Sequence, residues 1–259
     1  MPPKKVYRAR GLQLPLNVQQ VCVILIHVVN MVVFYLAALS AFKEASLVYV
    51  VVYSVLNVSV VSCWFYTSMV DAAKDPTAME RCLCLRLYCF KRANLKKRYC
   101  AMTRKTVPGM DHYCKWMNTA IGERNYVGFF SVVSLSTVLF TIQIISGIGM
   151  LTFLNTTGEM VAGTELVLAL LCIACGCPAL MAYGTLLTFH LYLIKRQFGT
   201  YDFLIERAAK RREKKKGPAP ANAKVAEVPL KNQSNAEEKP AADVEQGGEQ
   251  NENASEDQS

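Results

Sequence analysis

The chain has 259 residues, of which 52% are hydrophobic, and a formal net charge of +9. Its apolar residues fall in long uninterrupted runs, which argues against a purely soluble enzyme. Ten cysteines without a paired framework argue against a disulfide scaffold. The basic residues cluster beside the apolar runs, which points to a membrane surface and not to nucleic acid.

In chain order, residues 1–17 form a basic amino terminus with Lys4, Lys5, Arg8 and Arg10. Residues 18–69 hold two apolar runs, Val18 to Phe42 and Ser46 to Met69, each longer than the roughly 20 residues that cross a bilayer as a helix. Ala37-Ala38-Leu39-Ser40-Ala41 imitates a signal cleavage site, but the run exceeds the roughly 7–15 residues of a signal core, so a retained span is expected. His27 reads as a satisfied polar residue inside that span. Residues 70–125 are polar enough for a small membrane-resting module and carry twelve Lys or Arg. Residues 126–194 hold two further runs, Tyr126 to Leu154 and Val161 to Ile194. In the last, Cys172, Cys175 and Cys177 sit beside Gly176 and Pro178 and read as small residues packing against neighbouring helices. Residues 195–216 carry nine Lys or Arg, and Arg211-Arg212-Glu213-Lys214-Lys215-Lys216 suits an anionic leaflet. Residues 217–259 lose aromatics and are expected to be disordered.

The spans predict a four-helix membrane protein, and the positive-inside rule puts both termini and the 70–125 module in the cytosol. Asn155-Thr156-Thr157 is a glycosylation sequon in the connection this topology places outside.

The chemistry concentrates in Asp111-His112-Tyr113-Cys114-Lys115-Trp116-Met117-Asn118, followed by Gly122 and Asn125. Within four residues stand a carboxylate, a base and a nucleophile. A cysteine attacks as its thiolate, a histidine can take the proton, and a carboxylate can fix the imidazole tautomer. On the tetrapeptide alone, a structural or metal-ligating role fits equally well. Cys82, Cys84 and Cys89 lie near the membrane and could carry acyl groups or remain ordinary thiols.

These residues, with Trp116, Asn118, Gly122, Asn125 and Phe129 and the four spans, resemble the DHHC family of protein S-acyltransferases, in its DHYC variant form. Asp75-Pro76-Thr77 stands where the family has Asp-Pro-Gly, and Gly199-Thr200-Tyr201-Asp202 where it has Thr-Thr-x-Glu. His190, Leu193 and Ile194 precede the latter at family-like positions. The resemblance covers residues 15–205 and implies an all-α membrane protein with a cytosolic, cysteine-poor DHHC-type loop between helices 2 and 3.

It also implies two zinc sites, at positions 86, 89, 99 and 106 and at 100, 103, 113 and 120. Here these are Arg86, Cys89, Tyr99 and Thr106, then Cys100, Thr103, Tyr113 and Ala120. One ligand of four survives in each, and structural zinc takes four. Zinc is therefore expected to be absent, the alternative being an improvised site from Cys82, Cys84, Cys89 and Cys100. By resemblance Cys114 is the nucleophile, His112 the general base and Asp111 its orienting group. Thr200, Asp202 and Asn125 would support them. Lys115 beside the nucleophile could favour its thiolate or simply face solvent. Trp116, Phe129 and Phe130 are expected to anchor the loop without touching substrate.

The implied activity is protein S-palmitoyl transfer from palmitoyl-CoA, as acyl donor, through an S-acyl-cysteine intermediate. The implied partners are acyl-CoA, the lipid bilayer, proteins with juxtamembrane cysteines and an accessory subunit. Spans of about 20–25 residues permit the endoplasmic reticulum, Golgi or plasma membrane, of which the Golgi is favoured. Two rivals are a catalytically silent adaptor and a small channel or transporter. The second is disfavoured because the spans hold almost no ionisable residues.

Overall fold

The computed structural model describes residues 10–41, 46–78, 96–157 and 163–216. Cys82, Cys84, Cys89 and the tail from 217 onward lie outside them. Among the described residues, four helices are long and apolar enough to cross a membrane. They are α1 (Val18–Ala41), α2 (Ser46–Met69), α3 (Tyr126–Thr157) and α4 (Gly163–Lys195). Asn17 caps α1, its Oδ1 accepting the Gln19 amide at 3.2 Å and satisfying one of the orphan donors of the first turn. The α3 helix continues through Asn155, so the sequon lies in its last turn and not in a loop as expected; the apolar run simply carries the helical ladder three residues further.

Half of the α3 span is buried against about a fifth of each of the others. That makes α3 the centre of the bundle. It packs along α4 and α2, while α1 lies on α4 and α2. The outer faces still expose large apolar side chains such as Val18, Leu47, Val58, Ile145 and Met181. In water this surface would drive aggregation; in lipid it costs nothing.

Without a hydrophobic drive between helices in lipid, packing and hydrogen bonds set the register. Phe34 of α1 stacks on Tyr53 of α2 at 3.6 Å between ring centroids, with Ala38 and Leu139 completing the cluster. Below it, Gln143 of α3 donates to Asn30 Oδ1 at 2.8 Å and to the Cys172 carbonyl at 3.2 Å, and accepts from Tyr53 Oη at 3.0 Å. One side chain thus joins all four spans. Cys172 packs with Ala37, Met150 and Ala169, as its small size suggested, whereas Cys177 is exposed. His27 is satisfied by Tyr183 Oη at 2.8 Å.

The described residues between α2 and α3 add what the all-helical expectation omitted, two antiparallel hairpins. In the first, β1 (Arg98–Cys100) pairs with β2 (Lys105–Val107); in the second, β3 (His112–Cys114) pairs with β4 (Thr119–Ile121). The register of the second is His112↔Ile121, Tyr113↔Ala120 and Cys114↔Thr119. Lys105 Nζ holds the first hairpin to Asp71, beyond the end of α2, at 2.6 Å. After α4 the basic segment folds as α5 (Thr200–Lys216).

Gln143→Leu leaves Asn30, Tyr53 and the Cys172 carbonyl without their shared partner. Transmembrane hydrogen bonds average about 0.6 kcal/mol, so a loss of about 1–2 kcal/mol is expected. A lowered melting temperature in detergent, with the helical signal retained at low temperature, is the expected result.

Candidate active site

Side chains alternate along a strand, so His112 and Cys114 share one face of β3 while Tyr113 takes the other. The first face meets the α3–α4 packing. Cys114 is buried there with Met117, Ile121, Tyr126, Phe129 and Ile194. The second face turns Tyr113 toward a separate apolar cluster of Ala72, Cys100, Val107, Met110 and Ala120.

Asp111 is fully buried just before β3. Its amide donates to the Ile121 carbonyl at 2.8 Å, which closes the hairpin. Its carboxylate accepts from Thr200 Oγ1 at 2.6 Å and from the Thr200 amide at 3.1 Å, and its carbonyl accepts the Tyr201 amide at 3.1 Å. The negative charge therefore sits on the N-terminus of α5, where orphan amides and the helix dipole favour it. The same carboxylate lies 2.8 Å from His112 Nδ1. With Nδ1 turned to the carboxylate, the other ring nitrogen is left for a second partner, and Cys114 is within hydrogen-bonding reach of the ring.

Burial alone would lower the His112 pKa. The hydrogen bonds to Asp111 and Cys114, together with their negative charges, outweigh it and raise the pKa from 6.5 to about 9. At neutral pH the ring is therefore an imidazolium, a proton donor held beside the Cys114 sulfur. The arrangement can hold a proton next to a nucleophile and return it to a departing group.

An apolar cavity of about 660 Å³ opens at Cys114 and runs between the spans. Its wall includes Val29 of α1, Trp64 of α2, Val133 of α3 and Tyr183 of α4. Along α4 it extends from Leu186 past Pro178 to Cys175, a depth of roughly 16 Å at the helical rise. Pro178 removes one rung of the α4 ladder beside it. Trp116 and Phe129, expected to anchor only, line this cavity, whereas Phe130 stays in the core.

The expected supporting residues divide. Thr200 touches Asp111. Asp202 does not reach the centre; it pairs with Arg98 of β1, whose guanidinium also lies over the Tyr201 ring at 4.5 Å. Two residues beyond Thr200, the side chain already points away from the carboxylate. Asn125 braces the hairpin, accepting the Gly122 amide at 2.9 Å and donating to the Ala120 carbonyl at 3.0 Å and the Thr67 carbonyl at 3.4 Å. Gly122 itself has no room for a side chain: a Cβ would lie 2.8 Å from the Pro108 carbonyl. Lys115 is exposed. His190, noted only for its position, joins the site. It is buried on α4, its Nδ1 lies 3.0 Å from Tyr126 Oη, and its ring centroid is 5.8 Å from that of His112. A lone imidazole within an apolar span was the available signal.

The described positions that match the zinc ligands lie in or between the strands of the two hairpins. Tyr99 and Thr106 face each other across the first hairpin, and Tyr113 and Ala120 across the second. Cys100 is buried among apolar neighbours, and Thr103 Oγ1 is buried without a partner among the described residues. Positions 86 and 89 lie outside those residues. The described side chains supply one sulfur donor and do not fit a four-ligand zinc site. Among the described residues, Asp111, His112 and His190 bring donor atoms within 4.8 Å of one another, but this group holds the candidate base itself.

Residues 83–207 match the family model described as DHHC palmitoyltransferase. Probable protein S-acyltransferase 20 of Arabidopsis thaliana is 30% identical over 121 residues, 42% of this chain and 17% of that protein. Probable protein S-acyltransferase 15 of the same plant is 32% identical over 117 residues, 44% of each chain. Palmitoyltransferase ERF2 of Eremothecium gossypii is 28% identical over 133 residues, 51% of this chain and 33% of its own. The chain thus aligns with less than half the length of each of these relatives.

The chain has three histidines, which makes imidazole titration by NMR tractable. One ring is expected to titrate near pH 9 and to move to lower pH in Asp111→Asn, because removing the carboxylate leaves burial opposed only by Cys114. The raised pKa also gives a sign for stability. Its contribution is complete below about pH 6.5 and is lost as pH rises through about 9.

Proposed function

We propose that the chain is a protein S-palmitoyltransferase, on the premise that residues 83–207, which match the DHHC palmitoyltransferase family model, form a domain of that kind. The observation that carries the reading is the buried Asp111–His112–Cys114 set at the mouth of an intramembrane apolar cavity. A long-chain acyl-CoA offers matching parts. Its hydrocarbon enters the cavity, each buried CH₂ contributing about 0.8 kcal/mol, and its thioester stops at Cys114.

In the first step Cys114 Sγ attacks the acyl carbonyl carbon, the bond from that carbon to the CoA sulfur breaks, and the departing sulfur takes the proton held by His112. In the second step a cysteine thiol of the protein substrate gives its proton to His112 and attacks the acyl-Cys114 thioester, which releases the Cys114 thiolate. Asp111 keeps the imidazole oriented through both steps and stabilises its protonated form. Thr200 positions Asp111, and His190 with Tyr126 forms the wall behind the imidazole.

The remaining assignments follow from charge and length. Residues 1–17, 70–125 and 195–259 face the cytosol, with residues 18–69 and 126–194 supplying the spans. Palmitoyl-CoA is the donor, its phosphates met by the basic cytosolic surface, and no zinc is bound. Substrates are proteins with cysteines close to the membrane, the protein itself resides in the Golgi in preference to the endoplasmic reticulum or plasma membrane, and an accessory subunit assists. Assembly of all three reactive side chains favours an enzyme over a silent adaptor.

Purified protein in detergent given palmitoyl-CoA should release CoA and gain a hydroxylamine-sensitive acyl group, both abolished in Cys114→Ala. Thr200→Val, which removes a 2.6 Å hydrogen bond from the carboxylate, should lower the acylation rate by about 10-fold, the loss of about 1.4 kcal/mol from the transition state. CoA release that persists in Cys114→Ala would contradict the assignment.

A further inference from the structure

The short segment ahead of α1 reaches the nucleophile's hairpin, and nothing in the Asp–His–Cys chemistry accounts for it. Gly11 is buried there. Its amide donates to the Ser68 carbonyl at 2.7 Å, which satisfies a carbonyl in the last turn of α2. Its carbonyl accepts from Gln20 Nε2 and from Asn118 Nδ2, each at 3.3 Å. Asn118 also lies 3.5 Å from Gln20 Oε1 and accepts from Tyr113 Oη at 2.7 Å. Asn118 ends the turn that follows Cys114 and holds a left-handed φ of 55°, a conformation that asparagine tolerates better than most residues. The chain passes so close that a Cβ on Gly11 would lie 2.1 Å from the Met117 carbonyl oxygen. That oxygen is backbone, so relief requires the turn itself to move.

The turn matters because Trp116 and Met117 line the cavity that opens at Cys114. Tyr113 matters because it stands at a position where the family resemblance calls for a metal ligand. Here it carries no metal-type donor set; its ring packs with Cys100 and Ala120, and its hydroxyl grips Asn118. Strand, turn, amino-terminal segment, α1 and α2 are thus joined through neutral groups, each of them paired.

We infer that Gly11, Gln20, Asn118 and Tyr113 form a positioning clamp that aims Cys114 at the thioester, in the place that a metal centre would otherwise fill. The amino-terminal segment is therefore part of the transfer apparatus. The inference rests on the S-acyltransferase reading above.

Its test compares two reactions of the same sulfur in the full-length detergent-purified protein: acylation by palmitoyl-CoA and alkylation by iodoacetamide. Gly11→Ala and Tyr113→Phe are expected to lower the acylation rate at saturating donor by roughly 10- to 100-fold, as a misplacement on the order of 1 Å does. The KM for the donor and the alkylation rate should stay within about threefold, because the sulfur stays reachable but is misaimed. The double variant should lose less than the product of the two single losses, since both act through Asn118. Tyr113→Phe removes one hydroxyl and keeps the apolar packing, so it serves if Gly11→Ala does not fold. Acylation unchanged in Tyr113→Phe, or acylation and alkylation falling together with the melting temperature, overturns the clamp. Failure of the wild type to acylate Cys114 at all overturns instead the activity on which the clamp rests.

Discussion

The buried carboxylate of Asp111 is the contact through which the fold becomes a site. A full negative charge in a low-dielectric interior is costly unless every lone pair is used. Thr200 and His112 share that work, and the N-terminus of α5 adds its dipole. Those partners come from two distant parts of the chain, the hairpin after α2 and the exit of α4. Solvating the carboxylate therefore closes the tertiary structure, and the same bonds hold His112 beside Cys114.

The hairpin β3–β4 distributes these demands by strand alternation. One face carries His112, Cys114 and Ile121 into the α3–α4 packing; the other carries Tyr113 and Ala120 into the small cluster beneath the first hairpin. Reactivity and anchorage are thereby placed on opposite sides of three residues. The anchoring face can change its chemistry, apolar packing and a hydroxyl in place of metal donors, without altering which way Cys114 faces. Among the described residues, the module is held by apolar packing and by polar contacts such as Lys105 with Asp71.

The four spans were legible because bilayer crossing demands long apolar runs, and a boundary such as Tyr126 follows from where polarity returns. Asp111, His112 and Cys114 were legible from residue type, since few other reasons bring a carboxylate, an imidazole and a thiol within four positions. The hairpins were not, because three-residue strands carry no readable period. Asp202 was misplaced for a related reason. Proximity in sequence to Thr200 says nothing about which way a first-turn side chain leaves the helix, and this one leaves toward Arg98. His190 and Gly11 depend on contacts across 78 and 106 residues, to His112 and Met117, which only the folded chain brings together. The cavity was expected on chemical grounds, whereas its lining by Trp116 and Phe129 was not.

The central claim is that a charge network anchored on Asp111 makes Cys114 the acyl carrier. The most direct measurement is peptide mapping by mass spectrometry of the acyl-enzyme trapped after brief exposure to palmitoyl-CoA, run on the wild type and on Asp111→Asn. The account predicts the thioester on the Cys114 peptide of the wild type and its near-complete loss in Asp111→Asn. An acyl group on another cysteine, or equal acylation of Cys114 in both proteins, would contradict it.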